Sequence, residues 1–337
     1  MRIWFNYWFR TAYSIISILR SQLDEDNCNY TIIGSHTNEY SPIQKVCDEW
    51  YIEESSSENY VEFCLNFCKE HKIDIFVPYR NMEDISGHKE LFEEIGVKIL
   101  SDKCEYHRLF EKKSTAYKFF ADNKILNIPE YYTVNTVEEF KTAYSDLQSK
   151  YESVCIKFVK DKGGQSFRRI AEENHDFNSL RYYGSSSRIS FEKICKILSQ
   201  KERFDDMIVM PYLSGIEVSV DCLQTSGGLI ALPRFKGENH LEYLRFDDEI
   251  LSMTHEVLTK VPMEYPCDVQ FKYLGDKPYL LEVNTRMSGG LPMSYEASGV
   301  NIPYLALKKV MGEEIRMPKY EMTEKIFSNV EIPIVVK

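Results

Sequence analysis

The stretch YLLEVNTRMSGG, residues 279–290, carries three side chains that could do chemistry, Glu282, Asn284 and Arg286. They are two residues apart, after an apolar run and before a glycine pair, so in a strand they share one face. Carboxylate and amide oxygens are ligands that Mg²⁺ prefers, and a guanidinium binds carboxylates and phosphates with two parallel hydrogen bonds. The spacing therefore indicates a metal site with an anion-binding group beside it.

The longer stretch CDVQFKYLGDKPYLLEVN has the pattern of a β-hairpin. A three-residue loop at 275–277 sets Gln270 opposite Glu282 and Asp268 opposite Asn284, all on one face. The other face then holds only apolar side chains, Val269, Phe271, Leu281 and Val283. We expect Gln270, Glu282 and Asn284 to hold Mg²⁺ or Mn²⁺, with two ions bridging the phosphates of a nucleotide. An ordinary hydrogen-bonded network in a sheet is the alternative interpretation.

Two lysines stand where they could bind phosphate. Lys113 comes just before a helical pattern, and Lys157 lies on a predicted strand that runs into the loop KDKGGQS. Gly163 and Gly164 would let backbone N–H groups approach phosphate oxygens, and Ser166 follows them. A solvated surface position is the alternative for either lysine.

The segment MPYLSGIE has the features of an adenine and ribose site. Met210 and Leu213 could enclose a flat base, and the backbone of Pro211, Tyr212 and Leu213 offers an acceptor and a donor to its edge. Glu217 could accept from the ribose hydroxyls. Taken alone, the segment is also consistent with a simple β-bend.

Strands and helices alternate along the first hundred residues. The pattern predicts strands at 3–5, 30–34, 74–78 and 96–100 and helices at 11–23 and 59–71. This alternation is typical of a small parallel sheet covered on both faces, an α/β domain. The apolar opening segment is interrupted by Asn6 and Arg10, so we interpret it as a strand and a helix rather than an export signal or a membrane span.

The rest of the chain is rich in strand patterns joined by turns that contain glycine. Helical patterns at 103–124, 247–260 and 302–311 accompany them, and Pro129 ends the first of these three. Adjacent strands of this kind predict an antiparallel sheet covered by helices, an α+β fold.

Composition restricts the function further. The chain of 337 residues has a formal charge of −11, which opposes nucleic-acid binding. Nine cysteines occur without a CxxC pair, which fits a reducing compartment better than a disulfide framework. We expect a cytoplasmic protein with small-molecule partners and without nucleic-acid or membrane partners.

The order of these segments resembles the ATP-grasp superfamily, most closely its branch of carbamoyl-phosphate synthases and biotin carboxylases. Lys113, Lys157, MPYLSGIE and the triad Gln270, Glu282 and Asn284 stand in the family's order, in a single grasp unit. The resemblance implies an α/β pre-ATP-grasp domain at 1–101 and an ATP-grasp domain at 102–337. The latter would contain a central lid subdomain at about 127–212 and a catalytic subdomain at about 213–337.

The resemblance also implies a chemistry. ATP would phosphorylate a small carboxylate, such as an amino acid, and an amine would then displace phosphate from the acyl-phosphate. Arg286 would hold the substrate carboxylate or stabilise the acyl-phosphate, and Arg234 and Lys236 are candidates for contact with the γ-phosphate or substrate. Exposed charges at a strand end are the alternative for this last pair.

The resemblance leaves other functions open. A non-catalytic ATP-binding or regulatory module and a phosphotransferase are the alternative functions, and a homodimer is a family-level expectation.

Overall fold

A computed structural model describes residues 1–53, 59–124, 127–160, 165–172, 187–238, 241–330 and 332–336. The chain divides into two compact units. The first unit contains residues 1–110, 216–271 and 282–337, and the second contains 111–215 and 272–281. The first unit thus combines the predicted N-terminal domain with most of the predicted catalytic subdomain. The predicted division at residue 101 stays a prediction.

A five-stranded parallel sheet forms the N-terminal part of the first unit, in the order β3-β2-β1-β4-β5. Its strands are β1 Arg2–Asn6, β2 Thr31–His36, β3 Glu49–Ile52, β4 Ile75–Val77 and β5 Lys98–Ile99. The helices are Ala12–Glu25, Tyr60–Glu70, Met82–Gly87, Lys89–Glu94 and Cys104–Glu111, with a 3₁₀ turn at Pro42–Val46. The predicted parallel α/β arrangement is confirmed, although the sequence pattern did not reveal β3 or the helices within 82–94.

The second unit contains a five-stranded sheet in the order β6-β10-β7-β8-β9. Its strands are β6 Tyr132–Val134, β7 Val154–Phe158, β8 Arg168–Ile170, β9 Arg188–Ile189 and β10 Met207–Pro211. All described pairs are antiparallel except β8 with β9. The described helices are Lys113–Asp122, Val137–Gln148 and Phe191–Leu198. The helix predicted over 103–124 is two helices, because Lys112 has an extended backbone that interrupts it.

A six-stranded sheet completes the fold, in the order β15-β14-β11-β12-β13-β16. Its strands are β11 Glu217–Thr225, β12 Gly228–Lys236, β13 Leu241–Leu244, β14 Cys267–Leu274, β15 Lys277–Asn284 and β16 Lys325–Ser328. The helices are Asp248–Lys260, Leu291–Ser298 and Ile302–Val310. The Asp247 side chain caps the first of them by accepting from the Ile250 N–H. The predicted antiparallel α+β half is confirmed.

The turn between β14 and β15 is shorter than the sequence predicts. The strands end at Leu274 and resume at Lys277, so only Gly275 and Asp276 lie between them. Gly275 has a φ of +60°, which a residue without a side chain adopts at little cost. The three-residue loop predicted for this hairpin is therefore wrong, because glycine allows the tighter turn.

Candidate active site

Four polar side chains on β14 and β15 form one hydrogen-bonded cluster. The Gln270 amide donates to Asp268 Oδ2 at 2.6 Å, and the Asn284 amide donates to the same oxygen at 3.1 Å. The Asn284 amide also lies 3.4 Å from Glu282 Oε1. These bonds use the amide nitrogens, so the amide oxygens of Gln270 and Asn284 are left for other ligands. The structure brings together the three side chains that the sequence predicted as metal ligands.

Asp268 is the centre of this cluster, and its side chain is fully buried. Burial raises the pKa of its carboxyl to about 6, an effect to which Asp221 adds and which Arg234 opposes. Its Oδ1 atom has no hydrogen-bond partner among the described residues, although Oδ2 has two. An unpaired buried carboxylate oxygen is costly unless a cation or water satisfies it.

The donor set fits a hard divalent cation. It combines the two carboxylates of Asp268 and Glu282 with two amide groups, and all four supply oxygen. No set of three or more His, Cys, Asp or Glu side chains at metal-binding distance occurs in the described ranges. A site for Mg²⁺ in this part of the chain would therefore depend on amide oxygens, which suit Mg²⁺ better than Zn²⁺.

Arg234 lies in a buried ion network. Only 2% of it is exposed, its Nε donates to Asp221 at 3.1 Å, and its Nη1 donates to Glu242 at 2.5 Å. Burial by itself lowers the pKa of Arg234, but these carboxylates raise it by more, so the side chain stays charged. Ser288 joins the network by donating to Asp221 at 2.6 Å. Arg234 is therefore not the exposed strand-end charge that the sequence left as an alternative.

Lys236 and Glu217 are paired with each other. They are direct neighbours across β11 and β12, and their charged ends form a short ion pair. About 41% of the Lys236 side chain is exposed, so the lysine can exchange this carboxylate for another anion. The structure thus places a predicted ribose-binding residue beside a predicted catalytic residue.

Arg286 lies between two aromatic rings. The carbon atom of its guanidinium is 5.1 Å from the ring centre of Phe9 and 5.4 Å from that of Tyr79. Its Nη1 donates to the Met287 carbonyl at 3.1 Å, and the side chain is partly exposed. Stacking on both rings fixes the plane of the guanidinium.

A buried histidine supports the segment between the cluster and Arg286. The ring of His107 contacts Thr285 Oγ1 through Nδ1 at 2.7 Å and Ser101 Oγ through Nε2 at 2.8 Å. Burial lowers the pKa of His107 to about 4, so the ring is neutral near pH 7. Since Thr285 separates Asn284 from Arg286, this contact fixes the backbone that carries both.

In the second unit, Lys113 is the first residue of its helix. Its ammonium donates to the Leu281 carbonyl at 3.0 Å, and the Tyr117 hydroxyl donates to the same oxygen at 2.8 Å. Leu281 is the last residue of β15 in the second unit. The side chains of Lys113 and Tyr117 therefore lie beside that end of the strand.

Lys157 lies near the end of β7, opposite Ile208 of β10. Within the described ranges no residue makes a hydrogen bond or an ion pair with its ammonium group. Ser166 accepts from the Phe158 N–H at 3.0 Å and so ties the far side of the following loop to β7. Gly163 and Gly164 lie outside the described residues.

The predicted adenine segment begins at the end of β10 in the same unit. Met210 and Leu213 are buried in a cluster with Cys155 and Ile208. The Tyr212 N–H donates to the Ser153 carbonyl at 2.8 Å, whereas no described residue accepts from the Leu213 N–H. Within the described ranges, the Pro211 carbonyl accepts from the weak Cys155 thiol donor at 3.7 Å. The apolar surface of Met210 and Leu213 thus lies beside one backbone donor, the Leu213 N–H, and one weakly bonded acceptor, the Pro211 carbonyl.

Sequence reasoning missed the supporting residues of the site. Asp268 was placed on the polar face but not among the ligands, and Asp221 and His107 were not considered. Asp268 had a usable signal, since a carboxylate within a strand that is otherwise buried needs a partner. The signals for Asp221 and His107 depend on contacts with residues far away in the chain.

Comparisons with known proteins agree with this architecture. Residues 203–331 match a family model described as ATP-grasp in the biosynthetic pathway with Ter operon. A biotin carboxylase from Campylobacter jejuni superposes with a TM-score of 0.68 at 16% identity, covering 96% of this chain and 74% of its own. This chain carries the ATP-grasp fold. The resemblance predicted from the sequence is confirmed.

Other ATP-grasp proteins show the same likeness. An N5-carboxyaminoimidazole synthetase from Staphylococcus aureus, complexed with ADP, has a TM-score of 0.70 at 14% identity and covers 97% of this chain and 81% of its own. The carbamoyl phosphate synthase large chain of Pseudothermotoga lettingae is 21% identical over 300 residues, 86% of this chain and 26% of that protein. The chain thus spans about a quarter of the length of this relative. None of the described helices has the length and apolar character that crossing a membrane requires.

Proposed function

We propose that the protein is an ATP- and Mg²⁺-dependent ligase that activates a small carboxylate as an acyl-phosphate for attack by an amine. The polar cluster with the unpaired buried oxygen of Asp268 carries this proposal. A cluster that served only to stabilise the sheet would satisfy all of its buried oxygens. Mg²⁺ or Mn²⁺, with two ions on the family's pattern, would neutralise the charge of the ATP phosphates when bound.

Each predicted residue has a separate task in this proposal. Glu282, Asn284 and Gln270 supply oxygen ligands, and Asp268 holds the two amides in position through Oδ2. Lys113 and Lys157 bind phosphate oxygens as point charges, together with the loop that contains Gly163, Gly164 and Ser166. The backbone of Pro211 to Leu213 hydrogen-bonds the adenine edge next to Met210, and Glu217 accepts from the ribose.

The reaction then needs an anion site beside the cluster. Arg286 binds the carboxylate and keeps one of its oxygens directed at the γ-phosphorus, with Lys236 stabilising the charge that develops there. That oxygen attacks phosphorus and ADP leaves. The amine next attacks the acyl carbon, and phosphate leaves with the carboxylate oxygen.

We assign Arg234 a positioning role. Its guanidinium is only 2% exposed and already binds Asp221, Glu242 and Ser288, so a phosphate would have to displace buried carboxylates to reach it. It holds the loop that follows Arg286. This assignment changes the sequence-based prediction that Arg234 contacts phosphate or substrate.

Hydroxylamine, a small amine nucleophile, tests the proposal. The full chain is incubated with ATP, Mg²⁺, hydroxylamine and a panel of carboxylates, and ADP and hydroxamate are measured. We expect carboxylate-dependent release of both in equal amounts. Glu282→Gln should lower the rate at least a hundredfold, whereas Glu296→Gln, an exposed glutamate on the helix Leu291–Ser298, should not.

The same assay separates the other functions. Tight binding of Mg-ATP without ADP from any substrate would indicate a regulatory module, and a stable phosphate ester would indicate a phosphotransferase. Undiminished turnover in Glu282→Gln would exclude the metal assignment. The proposal includes a cytoplasmic location. It also includes a homodimer, which light scattering of the purified protein would test.

A further inference from the structure

Arg169 lies on the face of the second unit's sheet that carries the predicted adenine segment. It is on β8, opposite Cys155 of β7, and Cys155 is in turn opposite Met210 of β10. Residues directly opposite each other in antiparallel strands point to the same face, so the three side chains form a row across the sheet. Cys155 and Met210 are buried in the apolar cluster that contains Leu213. Arg169 is therefore a cation beside the surface that would hold adenine.

Two contacts hold the Arg169 side chain. Its Nε donates to the Ser153 hydroxyl at 2.9 Å, and the carbon of its guanidinium is 4.6 Å from the ring centre of Tyr212. A planar guanidinium at this distance is attracted to the face of an aromatic ring. Ser153 directly precedes β7 and Tyr212 directly follows β10, and all three residues belong to the second unit. The arginine thus ties the adenine segment to the start of the neighbouring strand.

Ser153 also holds Tyr212 through the backbone. The Tyr212 N–H donates to the Ser153 carbonyl at 2.8 Å. Ser153 therefore anchors the backbone of Tyr212 directly and the ring of Tyr212 through Arg169. With its N–H and its ring both held, Tyr212 has little freedom to rotate relative to β7.

The orientation of Tyr212 matters because the proposed acceptor and donor lie on either side of it. The Pro211 carbonyl belongs to the peptide group before Tyr212, and the Leu213 N–H belongs to the peptide group after it. Each peptide group is planar, so the angle between the two hydrogen-bonding groups depends on φ and ψ of Tyr212. A residue that fixes Tyr212 therefore fixes the pattern that is offered to the edge of a base.

That pattern matches only one class of purine. A 6-aminopurine offers an amino donor and the N1 acceptor, which complement a carbonyl and an N–H. A 6-oxopurine such as hypoxanthine offers an oxygen acceptor and an N1–H donor, so that acceptor would face acceptor and donor would face donor. Polar groups left unpaired in this way cost affinity. A segment that can rotate would lose part of this discrimination.

We propose that Arg169 is a positioning residue that holds Tyr212 and thereby makes the site select 6-aminopurine nucleotides over 6-oxopurine nucleotides. The inference rests on the proposed function, in which the Pro211 carbonyl and the Leu213 N–H bind the adenine edge. It adds the residue that sets the base specificity of that site. Arg169 acts through Tyr212 in this role and contacts neither the base nor the phosphates.

Calorimetry on the full chain with Mg²⁺ tests the inference with ADP and inosine diphosphate (IDP). We expect the wild type to bind ADP about a hundredfold more tightly than IDP. Arg169→Gln should weaken ADP binding about tenfold and leave IDP binding nearly unchanged, because only the matched base depends on the fixed pattern. Arg188→Gln, at the exposed arginine that pairs with Arg169 between β8 and β9, should leave both affinities unchanged.

The ratio of the two affinities separates positioning from charge and from general stability. ADP and IDP carry the same ribose and phosphates, so the loss of a cation or partial unfolding weakens both by the same factor. Arg169→Lys keeps the charge but lacks the planar group, and its ratio should fall as it does in Arg169→Gln. Tyr212→Leu should also lower the ratio, and combining it with Arg169→Gln should lower the ratio no further.

The outcomes separate this inference from the proposed function. Tight binding of ADP with an unchanged ratio in Arg169→Gln, or an equal loss of ADP and IDP binding, overturns the role of Arg169 even if the ligase is active. A lowered ratio without ADP release from any carboxylate supports the role of Arg169 and contradicts the ligase. No binding of either nucleotide overturns both.

Discussion

Asp268 determines how the amides of the polar cluster are oriented. Because its Oδ2 accepts from both Gln270 and Asn284, the two amide oxygens are turned away from it. A glutamine and an asparagine without this acceptor could rotate and offer nitrogen instead of oxygen to a cation. The carboxylate of Asp268 therefore has two effects. Its negative charge attracts a cation, and its Oδ2 atom holds the amides of Gln270 and Asn284 in position.

Replacing Asp268 with asparagine separates these two effects. Asp268→Asn keeps an acceptor oxygen for the amides but removes the negative charge. We expect Mg²⁺-dependent ADP binding to weaken about tenfold, or about 1.4 kcal/mol, with ADP binding in EDTA unchanged. The free energy of unfolding should stay within about 1 kcal/mol of the wild type, because a buried charge is also removed. Calorimetry and urea unfolding measure both, and Asp276→Asn in the exposed turn is the control.

His107 provides a pH-dependent contribution to stability. Burial lowers its pKa to about 4 from an ordinary value of 6.5, against the opposing effects of Asp102 and Glu83. Between pH 6.5 and 4 the unfolded chain therefore binds a proton that the folded chain does not. The contribution is complete above pH 6.5 and is lost as the pH falls towards 4, by up to about 3 kcal/mol.

His107→Gln isolates this contribution. The wild type should lose up to about 3 kcal/mol more than the variant between pH 7 and pH 4, as measured by urea unfolding at several pH values. The pKa of Asp102, which burial raises to about 6, has the opposite effect, but both proteins keep that residue. Parallel stability curves for the two proteins would show that the histidine is not buried in the neutral form.

At the scale of elements, the loop after β15 depends on a glycine. A Cβ atom on Gly290 would lie 2.4 Å from three atoms of the Arg234 guanidinium. The backbone of Gly290 is ordinary, with a φ of −93°, so the close approach rather than the dihedral excludes a side chain. The loop and the buried ion network therefore fit only when this position lacks a Cβ atom.

Gly290→Ala should displace Arg234 and destabilise the protein by about 2–4 kcal/mol, since the buried ion pairs must shift. Thermal and urea unfolding measure the effect. Gly87→Ala is the control, because its Cβ would meet nothing closer than 3.7 Å and should change stability by less than about 1 kcal/mol. A loss of stability no larger than that of the control would contradict the tight packing.

The strand patterns could be predicted because they depend on local alternation. Val269, Phe271 and Val283 are buried, whereas Leu281 is only partly buried and its neighbour Leu280 is buried. The polar side chains of the two strands form the cluster that the spacing indicated. Strand β3 was not predicted, since it is only four residues long, begins with Glu49, and has no fully buried residue. The buried network of Arg234 could not be predicted either, because Asp221 and Ser288 come from distant parts of the chain.

At the scale of the whole molecule, sequence order hides which residues share a unit. The first unit is assembled from three separate ranges, so Arg286 near the end of the chain lies against Phe9 and Tyr79. The sequence alone gave Arg286 an anion-binding role but not this aromatic surrounding. The stacking of Arg286 on these rings follows from the folded unit.

The transfer of oxygen from the carboxylate to phosphate tests the central claim most directly. The full chain is supplied with ATP, Mg²⁺, hydroxylamine and a carboxylate labelled with ¹⁸O in both oxygens, and the released phosphate is analysed by mass spectrometry. If the carboxylate attacks the γ-phosphorus and the amine then attacks the acyl carbon, each phosphate carries one labelled oxygen. Phosphate without the label, released in step with product, would contradict an acyl-phosphate and the ligase mechanism built on it.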